Sequence, residues 1–240
     1  MNRKRKPLKE RIEILYEDQD VIVVNKASGI MSQPMKDEEG DSVVELIRYY
    51  WKTRSKKSGF IGVVHRLDKE TSGVMVLARN KVAHRLLSVQ FKNHSVYKRY
   101  LAVVDGVPKC RRKQLIGYQT RDFTGKRAVS LDPEKGKQMV TRYVVVESIG
   151  NRSLLELVIE TGRTHQIRLQ LAKLGCPVLG EIVYSKDKKR VQGFERCALH
   201  SSRLVFQHPA TGKKVTFDAP LPEDMQKLIM PEKPKKEEMP

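Results

Sequence analysis

Apolar residues along this chain fall mostly into short runs of strand length, broken by polar, glycine- or proline-bearing stretches. ILYEDQDVIVVNKASG opens the pattern. It predicts two strands, Ile14–Tyr16 and Val21–Asn25, around an acidic turn at Glu17–Asp20, closed by Ser28 and Gly29. Residues 32–41 form a polar loop. Asp41 or Ser42 can then cap a helix over 43–53, with Val43, Val44, Leu46, Ile47 and Tyr50 on its apolar side. Phe60–Val64 and Val74–Ala78 read as buried strands, and the HRLDKETSG between them is too polar for a core. Residues 81–92 carry helical spacing through Val82, Leu86, Val89 and Phe91.

The second half is richer in strands. Val96–Val104 is a strand ending at Asp105-Gly106, and residues 107–138 make a charged strand-and-loop excursion. Val140–Ser148 and Ser153–Glu160 form a hairpin, and ETGRTHQIRLQLAKLG turns into a helix from about Thr164 to Leu174, stopped by Gly175 and Pro177. Ala198–Phe206 and Val215–Asp218 form a last hairpin. Strands outnumber helices, and hairpins rather than βαβ crossovers join them. The pattern predicts an α+β fold with a mixed, mostly antiparallel sheet in two lobes, flanked by helices and loops. No repeat recurs along the 240 residues.

Charge changes the picture. Lys and Arg number 47 against 28 Asp and Glu, a formal net charge of +19. A surplus of this size favours polyanions, because neutralised phosphates release condensed counterions. The cations are spread along the chain, with clusters at 52–57, 109–113 and 186–190, which suits a broad RNA-facing surface better than a single basic tail. No apolar run approaches the ~18 residues needed to span a bilayer, and no basic amphipathic helix points to a membrane surface. The basic N-terminus, MNRKRKPLKE, lacks the apolar stretch of a secretory signal. Cys110, Cys176 and Cys197 stand apart, with no CxxC pair, as in a reducing, cytoplasmic setting. The six histidines show no HxH or HExxH spacing, so no metal site is predicted.

Two polar segments could carry chemistry. HRLDKETSG, between two apolar strands, can hold a side chain fixed at a sheet edge. Asp68 is its natural candidate, with His65, Arg66, Thr71 and Ser72 around it. Alone, such a segment is more often only a turn. GRTHQIR, at 162–168, opens a helix, where backbone N–H groups with Arg163, His165 and Arg168 could meet an anion. The plainer alternative is a helix start with solvated basic residues.

Together these segments resemble the RluA-type pseudouridine synthases. HRLDKETSG is similar to that family's HRLDxxTSG, YKRYLAVV to its KxYxA strand, and GRTHQIRLQLAKLGCPVLG to its GRTHQIRxHxxxxGxPxxG. VIVVNKASGI resembles its opening VVNKPxG, and ALHSSRLVFQHPATG its closing ALHA…F…HP. The matches keep the family's order from about residue 12 to 222. Departures are Ala27 for Pro, Gln170 for His, Glu181 for Asp and Ser185 for Gly. None replaces a residue expected to act chemically, so they bear on substrate identity rather than on activity.

The resemblance implies that Asp68 is the catalytic aspartate, Tyr100 the active-site tyrosine and Arg168 the basic partner of the aspartate. It implies that Arg66 enters the RNA stack where the uridine has left. His65, Leu67, Thr71, Ser72, Arg163, His165 and Ile167 are the further residues expected around the substrate. Leu67, Ile167 and Val64 are candidates for pocket walls or for plain core, and both histidines for structural hydrogen bonding rather than proton transfer. The reaction breaks the N1–C1′ bond of a uridine, turns the uracil and rejoins it through C5, with no metal, redox or nucleotide cofactor. A guanidinium beside a carboxylate favours its charged form and fixes its orientation.

The implied organisation is a flexible basic N-terminus over 1–10, a catalytic domain over 11–225 and a disordered tail over 226–240. No room remains ahead of residue 12 for the added RNA-binding domain many relatives carry, so substrate choice would rest on basic loops at 52–58, 109–113 and 186–190. The implied partner is rRNA or tRNA, and the implied state a monomer. Two other readings compete. An inactive RNA-binding or assembly protein of the same fold has no need of the Asp68, Tyr100 and Arg168 set. A hydrolase pairing Asp68 with a histidine would need a nucleophile elbow or paired carboxylates, and the sequence has neither.

Overall fold

The computed structural model describes residues 8–35, 41–54, 59–185 and 190–230. Most of the expected basic loop at 186–190, and residues 55–58 of that at 52–58, lie outside these, as do residues 1–7 and 231–240. A short helix α1 (Leu8–Arg11) leads into the hairpin β1 (Ile12–Glu17) and β2 (Val21–Lys26). The acidic turn between them forms because Asp18 Oδ1 accepts from the backbone N–H groups of Asp20 and Val21, each at 2.8 Å. Helix α2 (Val43–Thr53) starts at Ser42, which shares a capping box with Glu45. Strand β3 (Gly62–Val63) and strand β4 (Ser72–Ala78) enclose the polar loop around Asp68.

Helix α3 (Lys81–Lys92) and strand β5 (Tyr97–Asp105) follow. The charged excursion resolves into β6 (Arg112–Arg121) and β7 (Arg127–Ser130), then a short 3-10 turn. Next come the hairpin β8 (Lys137–Ile149) and β9 (Arg152–Ile159) and helix α4 (Gln166–Leu174). Strands β10 (Leu199–Gln207) and β11 (Lys214–Asp218) precede a short helix α5 (Glu223–Gln226). A 3-10 turn, Lys227–Ile229, with Leu228 buried, carries ordered chain past residue 225, where the tail was expected to begin.

All strands share one sheet, in the order β1-β2-β4-β10-β5-β9-β8-β6-β7, with β11 paired to β10 and β3 to β4. Among the described residues every ladder is antiparallel except β4 with β10, where Ser72 and Gly73 lie opposite His200 and Ser201. The strand from the C-terminal third thus joins an N-terminal half of the sheet to a second half. This is the mixed, mostly antiparallel α+β architecture the pattern predicts.

Alternate residues of β2 and β4 feed two cores. Ile22, Val24, Met75 and Leu77 pack with α2 and the second half of the sheet, and Val21, Val23, Val74 and Val76 pack with α3. Burial on both faces explains why these strands read as unbroken apolar runs.

Two elements differ from the pattern. The strand expected over Phe60–Val64 shrinks to Gly62–Val63; just past its end His65 Nε2 accepts the backbone N–H of Val76 at 3.1 Å. In α3 the fully buried residues are Ala83 and Leu87. Val82 and Val89 are exposed, so the inward face lies one position from the stripe the valines suggest.

Candidate active site

The Asp68 loop is fastened to the segment after β2. Ser32 Oγ donates to the carbonyl of Leu67 at 2.7 Å and accepts its N–H at 3.0 Å. Ser28 Oγ donates to Glu70 O, and Gly29 N–H to Lys69 O. Lys26, fully buried, donates from Nζ to the carbonyls of Ala27, Ile30 and Lys69. Burial lowers its pKa to about 7, the nearby Asp68 charge opposing and Arg196 assisting. The turn closes with Thr71 N–H on Asp68 O at 3.0 Å. Beyond it Gly73, at φ +115, lies so close to Ser201 that an added Cβ would sit 2.2 Å from its carbonyl oxygen. Only glycine allows β10 to pair there.

Helix α4 supplies the facing wall. It begins at Gln166, two residues later than predicted, because His165 takes a left-handed conformation (φ 58, ψ 21). For a non-glycine residue this is a strained geometry of the kind that gathers at functional sites. Gln166 is buried and fully engaged: its Oε1 accepts from Thr161 Oγ1 and Arg163 N–H, and its Nε2 donates to Val140 O and Thr141 Oγ1. Gln170, one of the departures from the family pattern, accepts from Thr141 Oγ1 and donates to Leu115 O and Met139 O. It fixes the helix to β6 and β8 and does not line the cavity.

Between loop and helix lies a cavity of about 80 Å³. Arg66, Leu67, Asp68, Thr71, Tyr100, Arg163, His165, Ile167 and Arg168 all line it. Asp68 is partly exposed; its Oδ2 lies 3.5 Å from Arg168 Nη1 and its Oδ1 3.7 Å from His165 Nε2. Tyr100 is buried. Burial, and then the Asp68 charge, push its hydroxyl above the ordinary phenol value, so it is neutral near pH 7. His165 Nδ1 lies 2.7 Å from the Tyr184 hydroxyl. Burial lowers its pKa, aided by Arg168 and Arg127 and opposed by Asp68. Arg66 is exposed at the rim.

Arg168 is not the solvated cation that a helix start could have offered. Its side chain is buried against Glu181, donating from Nε at 2.5 Å and from Nη2 at 3.0 Å. Burial alone would lower its pKa, but the Glu181 bonds and the charges of Glu181 and Asp68 raise it. Burial would likewise raise Glu181, but Arg168 and the N–H groups of Val183 and Tyr184 hold it below the usual carboxylate value.

Two residues expected at the substrate lie elsewhere. His65 stacks on Phe91, ring centroids 4.5 Å apart, and burial lowers its pKa to about 3. Ser72 sits in β4 with its Oγ 2.9 Å from His200 Nδ1. Both brace the scaffold. Val64 joins the α3 core rather than the cavity wall. Sequence reasoning assigned no role to Glu181, Lys26, Ser32 or Tyr184. Glu181 carried a signal as an acidic residue where the family pattern has Asp, and Lys26 as the lysine of the matched opening motif.

A family model described as RNA pseudouridylate synthase matches residues 20–173. "Ribosomal large subunit pseudouridine synthase D" of Zymomonas mobilis is 36% identical over 227 residues, covering 91% of this chain and 72% of that protein. "Uncharacterized RNA pseudouridine synthase YlyB" of Bacillus subtilis is 38% identical over 220 residues, with the same coverage of 91% and 72%. Among solved structures, "Human RNA Pseudouridylate Synthase Domain Containing 1" superposes with a TM-score of 0.74 at 26% identity, covering 90% of this chain and 86% of that one.

Proposed function

The chain belongs to the RluA-type RNA pseudouridine synthases, and on that premise we propose that Asp68 is its catalytic carboxylate, acting on uridines of large-subunit ribosomal RNA. The enzyme isomerises uridine in RNA: the N1–C1′ bond breaks, C5 bonds to C1′ in its place, the C5 proton leaves and N1 gains one. The target atoms are inaccessible in a stacked helix, so the nucleotide must swing out into a pocket. The Asp68 cavity is that pocket.

One observation carries the assignment. The Asp68 carboxylate lines a cavity that Tyr100 and Arg168 also line, with Arg168 Nη1 at 3.5 Å from it. The carboxylate serves there as nucleophile or as proton acceptor at the sugar. Tyr100 supplies an aromatic face for uracil and a neutral hydroxyl for the ribose. Arg168 is a positioning residue, because Glu181 already occupies two of its nitrogens. Leu67 and Ile167 form the apolar wall, and Arg66 at the rim fills the gap left in the RNA stack. The ribosomal substrate is suggested by relatives named for the large ribosomal subunit in three organisms.

The test is to incubate the protein with unmodified large-subunit ribosomal RNA and, separately, unmodified tRNA. Pseudouridine is then mapped by carbodiimide labelling and reverse-transcription stops, because the product has the mass of the substrate. Stops on ribosomal RNA with wild type and none with Asp68→Asn are expected. Stops with both proteins would remove Asp68 from the chemistry. Stops on tRNA alone would replace the substrate.

A further inference from the structure

The second half of the sheet ends in the hairpin β6–β7, whose tip is the segment Arg121-Asp122-Phe123-Thr124-Gly125-Lys126-Arg127. Phe123 has a relative exposure of 101%, so its ring touches none of the described protein. A lone exposed apolar residue is ordinary. This one is set in a built turn. Asp122 Oδ1 accepts from Thr124 N–H, Thr124 Oγ1 and Lys126 N–H, and Gly125 takes the left-handed conformation that lets the chain reverse. Arg121 Nη1 donates across the turn to Gly125 O at 2.6 Å. The turn projects the phenyl ring into water, away from the described residues.

The flanking charges lie where an anion would reward them. Arg121 and Arg127 sit directly opposite each other in the ladder, an arrangement that destabilises a hairpin by itself. Lys126 adds a third cation beside them. The arm also lies beside the start of α4, one wall of the cavity, rather than at a remote edge. Gln119, in the same ladder, donates from Nε2 to Thr164 O at 2.6 Å, and the charge of Arg127 reaches both His165 and Tyr184. An exposed ring on a hydrogen-bonded turn among cations, beside a site that takes an extruded nucleotide, matches the chemistry of single-stranded RNA: bases stack on the ring while phosphates lie on the cations.

We propose that the Phe123 hairpin is an RNA-binding arm, in which Phe123 stacks on an unpaired base outside the catalytic cavity while Arg121, Lys126 and Arg127 hold the adjoining phosphates. This inference rests on the RNA-modifying reading of the cavity and adds a second point of contact to it.

The experiment uses the full chain and an unmodified large-subunit ribosomal RNA transcript as probe. Phe123→Ala should weaken RNA binding by about 5-fold to about 150-fold, the range for losing one base–aromatic stack. The single-turnover rate at saturating RNA should stay at the wild-type value. Phe123→Trp should restore affinity, and its emission should be quenched when RNA is added, whereas the buried Trp51 alone should respond little. Unchanged affinity in Phe123→Ala overturns the proposal, as would weakened binding that Phe123→Trp leaves unrescued and unquenched. If Phe123→Ala weakens binding while wild type forms no pseudouridine on any RNA tested, the arm stands and the catalytic reading falls.

Discussion

Arg168 gives two of its nitrogens to Glu181, at 2.5 and 3.0 Å, and turns the third to Asp68 at 3.5 Å. The pairing ranks the partners: a fully buried carboxylate fixes the guanidinium plane, and the plane then sets where the cavity carboxylate sits. Glu181→Gln should therefore damage stability and rate together. Breaking a buried pair costs about 3–5 kcal/mol, and the lower end applies here because Asp68 still faces Arg168. Glu181 has a folded pKa below its ordinary 4.5, so the pair's contribution is present above that value and lost as pH falls through the lower one. Urea unfolding from pH 7 down to pH ~3 should show a steep acid loss in wild type and a shallower one in the variant.

Tyr100→Phe keeps the ring and removes the hydroxyl. If that hydroxyl relays a proton at the ribose, the single-turnover rate should fall by about 10²-fold or more while RNA affinity stays close to wild type. Rapid quench with carbodiimide detection separates the two quantities. An unchanged rate would reduce Tyr100 to a stacking surface.

Lys26 makes a signed prediction about pH. Its folded pKa, about 7, lies below its ordinary 10.5, so between the two the unfolded chain binds the extra proton. Stability should therefore rise from pH ~7 toward pH ~10, by at most about 1.4 kcal/mol per pH unit from this group. Lys98, lowered to about 8 by burial, adds in the same direction over a narrower window. Lys26→Met should be less stable at pH 7, having lost three hydrogen bonds to carbonyls, and its pH slope should be visibly flatter.

Gly73→Ala places a methyl where Ser201 O, N and C lie at 2.2, 2.6 and 2.7 Å, on a backbone at φ +115. Overpacking plus strain should cost about 3 kcal/mol or more, a fall of about 6–12 °C in Tm for a chain of this size. Differential scanning calorimetry measures it. The Asp68 loop ends at this glycine, so activity should fall further than the fraction unfolded accounts for.

Much of this was legible in the chain. VIVV announced a strand and VMVLA a buried one, and Asp41 or Ser42 announced the start of α2. The resemblance carried by HRLDKETSG, YKRYLAVV and GRTHQIR named Asp68, Tyr100 and Arg168, far apart in sequence, and all three line one cavity. What stayed hidden depends on partners that only the fold supplies. The side of α3 that faces inward is set by the small Ala83, not by the valines a periodicity count favours. His65 belongs to a cavity motif by position, yet its ring is spent on Val76 and Phe91. Lys26 ends an apolar strand like any surface lysine, and nothing local says that three carbonyls will converge on it. Phe123 is inconspicuous in a charged stretch until the turn is seen to hold it in solvent.

The parallel pairing of β4 with β10 also bears on how the enzyme comes into being during its synthesis. Ser72 and Gly73 leave the ribosome long before Ser201, and β10 is the strand that sutures the two halves of the sheet. A nascent chain that stops short of residue 199 already holds Asp68, Tyr100, Arg168 and Glu181, on two sheet halves with no strand to register them. Such non-local pairings form late and slowly. The cavity is therefore registered only once β10 has been made, and a product released before residue 199 would carry the proposed reactive groups without a working pocket.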